Sequence, residues 1–147
     1  DGVTMQPSWA VMTTFDQPLE LPFDGAFVND APLSWVARNS SKPGRPGDDS
    51  WVLHASPAWS MEHLELCADD AAGRLLEAFF EATGREPVEP LHLRAHRWRY
   101  ALAEEALDVG CLWDGELRIG ACGDWCAGSR VEGAFLSGMA VAGRILG

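Results

Sequence analysis

Turn signals divide the first half of the chain into short runs, and they limit the fold more than any other feature. Trp9-Ala-Val-Met-Thr-Thr-Phe15 is rich in β-formers and stops at Asp16-Gln-Pro18. Residues 25–28 form a second short run, closed by Asn29-Asp-Ala-Pro32, and residues 33–38 form a third. A polar, Pro/Gly-rich loop over 39–49 follows, and residues 51–55 resume a strand pattern. Short strands separated by tight turns predict an antiparallel meander, because parallel pairing needs long crossovers.

The middle of the chain turns helical. Ser60 is placed as the cap of a short helix through Leu66, and Asp69 or Asp70 as the cap of a longer one ending near Gly84. Leu75, Leu76, Phe79 and Phe80 form one apolar stripe on it, which predicts a helix packed on the sheet. Pro87 and Pro90 end this region and launch a strand over 91–103. The expected fold class is α+β, a mainly antiparallel sheet with packed helices. A length of 147 residues allows one domain with room for a core.

Charge narrows the partners. Eleven Lys and Arg against 22 Asp and Glu give 11 − 22 = −11, so a nucleic-acid backbone finds no basic face. No apolar run reaches the ~18 residues of a spanning helix. The stretch 131–147 comes nearest but is interrupted by Glu132 and Arg144. Cys67, Cys111, Cys122 and Cys126 fit neither a redox pair nor a zinc knuckle, so reduced thiols and a cytoplasmic location are expected. The composition is unusual in one respect, seven Trp against a single Tyr. A buried indole N–H needs a partner, so each Trp asks for a place in the fold.

Two segments carry candidate chemistry. His92-Leu-Arg-Ala-His96 would put two imidazoles on one face of a helix as metal ligands, but no Glu follows the first His. The alternation Arg97, Trp98, Arg99, Tyr100 favours a strand instead, with His96, Trp98 and Tyr100 on one face and the arginines on the other. Such a strand can line a substrate cleft, with His96, Arg97 and Trp98 as its candidates. Equally, the arginines can be surface charge on an acidic protein. No metal site is expected. The second segment reads as a strand over 116–122, a glycine turn with Asp124, and a helix over 131–146. A helix N-terminus presents free N–H groups and partial positive charge, and a glycine lets backbone approach a ligand. A tight strand–helix crossing in a core would use the same residues.

Cys122-Gly-Asp-Trp-Cys126 with Arg130-Val-Glu-Gly-Ala-Phe-Leu-Ser-Gly138 resembles the C-terminal flavin-binding signature of the FAD-dependent amine-oxidase superfamily, in its bacterial renalase-like branch. Upstream, Pro32-Leu-Ser-Trp-Val-Ala-Arg-Asn-Ser-Ser-Lys-Pro-Gly44, Trp51-Val-Leu-His-Ala-Ser-Pro-Ala-Trp-Ser60 and Ala95-His-Arg-Trp-Arg-Tyr-Ala101 extend the resemblance in order. It implies that Gly123 gives access to FAD and that Asp124 binds its ribityl or phosphate-proximal part. It also implies that backbone at Arg130, Val131, Glu132 and Ala134 meets the pyrimidine edge of the isoalloxazine. The strand bearing His96, Arg97 and Trp98 would face the flavin from the substrate domain.

The chain departs from that family in having no G-x-G-x-x-G, the dinucleotide cradle of a Rossmann-like unit. The expectation is therefore a C-terminal fragment, with residues 1–106 from the substrate-binding portion and 107–147 completing the FAD domain. The whole protein would oxidise an amine or a dihydronicotinamide-type substrate by hydride transfer to flavin, with O2 as acceptor. The isolated chain would be inactive and would bind FAD weakly or not at all. Its uncovered C-terminal segment would favour self-association. The alternative is a stand-alone α+β module that holds a small ligand or a protein without redox chemistry. A metal-dependent hydrolase built on His92, His96 and cysteines is a third reading.

Overall fold

The computed structural model describes residues 2–45 and 47–147. Asp1, at the head of the 1–106 portion, and Pro46, in the polar loop, lie outside the described residues. The elements run β1 (Met5–Phe15), β2 (Gly25–Phe27), β3 (Leu33–Arg38), a 3-10 turn (Asn39–Ser41), β4 (Asp49–Ala55), α1 (Pro57–Glu62), α2 (Ala68–Thr83) and β5 (His92–Ala103). Then come β6 (Leu112–Asp114), β7 (Ile119–Ala121), α3 (Asp124–Ala127) and α4 (Val131–Leu146). The fold is α+β, with a mainly antiparallel sheet in the order β2-β3-β4-β1-β5 and a separate β6-β7 hairpin. Two compact units result: Pro7–Arg99, and Tyr100–Gly147 together with residues up to Gln6.

The core lies in the Pro7–Arg99 unit. Alternation puts Val11, Phe15, Trp51 and Leu53 on the face that meets Leu75, Leu76, Phe79 and Phe80 of α2. Trp51 is fully buried, edge-on to Phe23 at 5.9 Å and tilted against Phe79 at 5.4 Å. Its indole N–H donates to the Asp49 carboxylate at 3.0 Å, so this Trp has both its packing and its polar partner. The same Asp49 oxygen accepts the Leu19 N–H at 2.9 Å. This bond fixes the chain after β1, where Leu19 and Leu21 turn into the core.

Both helix starts differ from the sequence reading. Ser56, not Ser60, caps α1: its hydroxyl accepts the Trp59 N–H at 3.2 Å and Pro57 opens the helix. Ser60 is buried inside α1, where its hydroxyl accepts the Trp9 N–H of β1 at 3.1 Å. Cys67, not Asp69 or Asp70, caps α2, its sulfur accepting the Asp70 N–H at 3.4 Å. The two aspartates sit in the first turn, where they favour the positive end of the helix. Gly84 ends α2 in the left-handed region (φ 63°), as read, with its N–H on Glu81 O and the Arg85 N–H on Phe80 O.

The other unit is thinly packed. No Leu, Ile, Val, Phe, Met or Trp in it is buried among the described residues; Ala103, Cys126, Gly133 and Ser137 are. Leu117, Val131, Phe135 and Leu146 are exposed. The strand read over 116–122 shrinks to Ile119–Ala121, paired with the unforeseen β6. The reason is local: Asp114 Oδ1 accepts the N–H groups of Glu116 and Leu117, both at 2.9 Å, and closes a hairpin turn. No helix among the described residues is long and apolar enough to cross a membrane.

Candidate functional site

The turn and helix at the C-terminus bring several candidate residues together. Gly123 stands at the N-cap of α3 with extended backbone. It has no room for a side chain, since a β-carbon would overlap the Trp125 indole. Its N–H donates to Ser137 Oγ of α4 at 3.0 Å. Asp124 opens α3, and its Oδ1 accepts the Trp125 N–H at 3.0 Å. The other oxygen has no hydrogen-bond partner among the described residues.

Four residues after Asp124 the chain reverses through Gly128, whose φ of 115° suits glycine alone. Gly128 N–H bonds Asp124 O at 2.8 Å, and Arg130 N–H bonds Gly128 O at 2.7 Å. α4 starts at Val131, as read, with Arg130 at its N-cap, yet the Arg130 side chain makes no capping bond. The first-turn N–H groups of Val131 and Glu132 therefore have no side-chain acceptor. Ala134 N–H is already used, bonded to Arg130 O at 3.0 Å. Val131, Glu132 and Ala134 are all exposed. The result is an uncapped 16-residue helix whose positive end lies open beside a tight acidic turn.

The second candidate region is the sheet face turned away from α2. Along β4, Ser50, Val52 and His54 are half-buried, while Trp51, Leu53 and Ala55 point into the core. Register aligns Trp35, His54 and Ala10 across three strands, and Ala37, Val52 and Met12 across the same three. Phe27 packs on Trp35 at 4.7 Å. On the edge strand β5, His96 and Trp98 share an exposed face and meet edge to face at 4.6 Å. Arg97 lies on the opposite face. It sits 5.5 Å over the Trp9 ring and donates to Leu64 O and to Glu65. Arg99 grips the same Glu65 with two bonds, 2.8 and 3.0 Å. These arginines clip the segment after α1 to β5. Trp35 lies in a block that carries the family resemblance, whereas His54 and Met12 have no site signal of their own, although the alternation Trp51-Val-Leu-His-Ala55 already separates the two faces.

His54 and Glu65 tie this region to pH. Burial pushes the His54 imidazole below its ordinary value of 6.5, and Lys42 adds to the effect. The folded state then binds fewer protons than the unfolded one, so stability rises with pH through that window. The contribution is complete above the unfolded value and lost as pH falls through the folded one. The Arg99 hydrogen bond, more than the charge of Arg99 or Arg97, holds Glu65 below 4.5, with the same sign at lower pH. The thermal midpoint is therefore expected to fall on going from about pH 7.5 to about pH 5, with His54→Gln flattening the upper part of that slope. Thermal melts across that range check it; a midpoint that rises on acidification contradicts it.

His92 and His96 stand on a strand and not on one helical face. Among the described residues no three His, Cys, Asp or Glu side chains gather as metal ligands. The four cysteines are unpaired thiols. No protein-family model matches the sequence. In solved structures the chain is similar to a protein described as a "Putative protoporphyrinogen oxidase" from Exiguobacterium sp. 255-15, with a TM-score of 0.73 and 15% identity. The match covers 98% of this chain and 35% of that one, so the chain spans about a third of the length of the structure it matches. At this identity the likeness is one of fold.

Proposed function

We propose that the chain is the C-terminal portion of an FAD-dependent oxidoreductase. The observation that carries this reading is the uncapped N-terminus of α4 set beside the Gly123-Asp124 turn. Donor chemistry fits the cofactor on two counts. The N–H groups of Val131 and Glu132 suit the electron-rich pyrimidine edge of a flavin, and the positive helix end favours negative charge there. The free carboxylate oxygen of Asp124 suits a ribityl hydroxyl. Bound FAD would supply the two-electron acceptor. The fold shared with part of a protein described as an oxidase agrees with this reading.

In it, residues 107–147 complete a flavin-binding domain, and the sheet of 1–106, with His96, Trp98 and the half-buried face around His54, forms a wall of the substrate cavity. The finer expectation, an amine or dihydronicotinamide substrate with O2 as acceptor, rests on the sequence resemblance alone. The apolar surface left open on α4 (Phe135, Leu136, Met139) is covered by further polypeptide in a longer protein, and by self-association in this chain.

Titrating FAD with the purified chain tests the proposal. Fluorescence of the flavin is expected to be quenched weakly, with a Kd of about 1 mM, because the nucleotide half has no cradle here. Asp124→Ala should weaken it several-fold. No quenching and no change in the visible band at millimolar protein would overturn the reading.

A further inference from the structure

We infer that Ser137 is a positioning residue, which pins the Gly123-Asp124 turn to α4 and so sets the Asp124 carboxylate and the open helix end as one rigid group. Its functional meaning rests on the flavin reading; its structural content does not. Ser137 is fully buried, the only polar side chain that this unit buries among the described residues. A hydroxyl in that position needs a partner, and it has one: the Gly123 N–H, 14 residues back, at 3.0 Å. One turn earlier on the same face of α4 stands Gly133, where a β-carbon would overlap the carbonyl oxygen of Gly128.

α4 thus holds the preceding segment at two points. Ser137 takes its beginning, at Gly123, and Gly133 takes its end, at Gly128. Asp124 lies between these anchors, with its own carbonyl bonded to the Gly128 N–H at 2.8 Å. Few large side chains pack this unit, so a packed core cannot supply the rigidity; the Ser137 bond and the backbone contact at Gly133 do. Without the hydroxyl, the Gly123 N–H loses its acceptor and the turn can drift from the helix end while α4 itself stays helical.

A pair of variants of equal shape isolates the hydroxyl: Ser137→Thr keeps it and Ser137→Val lacks it. Amide hydrogen exchange is measured by NMR on the full chain of each. With Val the Gly123 amide is expected to exchange about tenfold faster than with Thr, while amides in the middle of α4 and in α2 keep their rates. The Asp124 and Val131–Glu132 amide resonances should shift in Val and stay near the parent in Thr. Equal Gly123 exchange in the two variants would overturn the inference, as would a loss of protection along the whole of α4 in Val alone. Should both variants fail to fold, Ser137→Ala carries the same comparison against the parent. Flavin binding is not needed for this readout. A pinned turn in a chain that ignores flavin would sink the function and leave the pin; flavin binding with a Gly123 indifferent to the hydroxyl would do the reverse.

Discussion

Asp49→Ala is expected to destabilise the Pro7–Arg99 unit by about 3–5 kcal/mol. The Asp49 side chain is 5% exposed and serves three partners. One oxygen accepts from the Trp51 indole at 3.0 Å and from Leu19 N–H at 2.9 Å. The other lies 3.3 Å from Arg38 Nε, within ion-pair distance although Nε is not aligned for a hydrogen bond. Alanine leaves two buried donors without an acceptor, each worth about 1–3 kcal/mol. Arg38 keeps Asp24 and Leu21 O, which places the loss toward the lower end. Asp49→Asn retains an acceptor and should lose less than half as much. Urea unfolding followed by Trp fluorescence measures both. A loss under about 1 kcal/mol for alanine would show that the network is not what holds this edge of the core.

Gly133→Val is expected to have the largest effect on the candidate site. The new side chain would collide with the Gly128 carbonyl, and that oxygen belongs to backbone that cannot rotate aside. Either α4 moves off the turn or the turn unfolds, at a cost of about 1–3 kcal/mol. Flavin quenching by the chain should fall below detection. Gly143→Ala, ten residues on in α4 and exposed, where a β-carbon meets nothing within 4 Å, is the control and should lower neither unfolding stability nor quenching. Quenching by Gly133→Val at the parent level would show that the helix start does not meet the flavin.

Much of the fold is legible in the sequence because local signals and tertiary needs agree. The stripe Leu75, Leu76, Phe79, Phe80 gives α2 its buried face, and Gly84 stops it where φ turns positive. β3 has the bounds its turn signals set, Leu33–Arg38, and α4 runs Val131–Leu146 as read. The errors fall where a side chain serves a distant strand. Ser60 has the residue type of a cap, but Trp9, 51 residues away, takes its hydroxyl. Ser56-Pro57 carried the better signal, a cap followed by Pro at the first helical position. In the hairpin, Asp114-Gly115 is the local turn signal, while Leu117 and Ile119 carry an apolar alternation past it that reads as a longer strand.

The candidate site was legible in part. Gly123 and Asp124 do form a tight turn against α4, and His96 and Trp98 do share an exposed face. The Ser137 bond was not readable, since a small residue on a helix face looks the same whether it packs or pins. The faces of β1, β3 and β4 needed register to align Trp35, His54 and Ala10. The Trp count resolves case by case. Trp51 fills the core, Trp9 bonds His63 O at 3.1 Å, and Trp59 stacks on His63 at 4.3 Å.

In the proposed function, the start of α4 and the Gly123-Asp124 turn form the flavin-facing end of this chain. The most direct test is an amide NMR titration of the isotope-labelled chain with riboflavin, which carries the ring and ribityl but no nucleotide. Saturable shifts confined to Gly123, Asp124, Val131, Glu132 and their immediate neighbours are expected. Shifts centred elsewhere, or none at millimolar riboflavin, would contradict that reading.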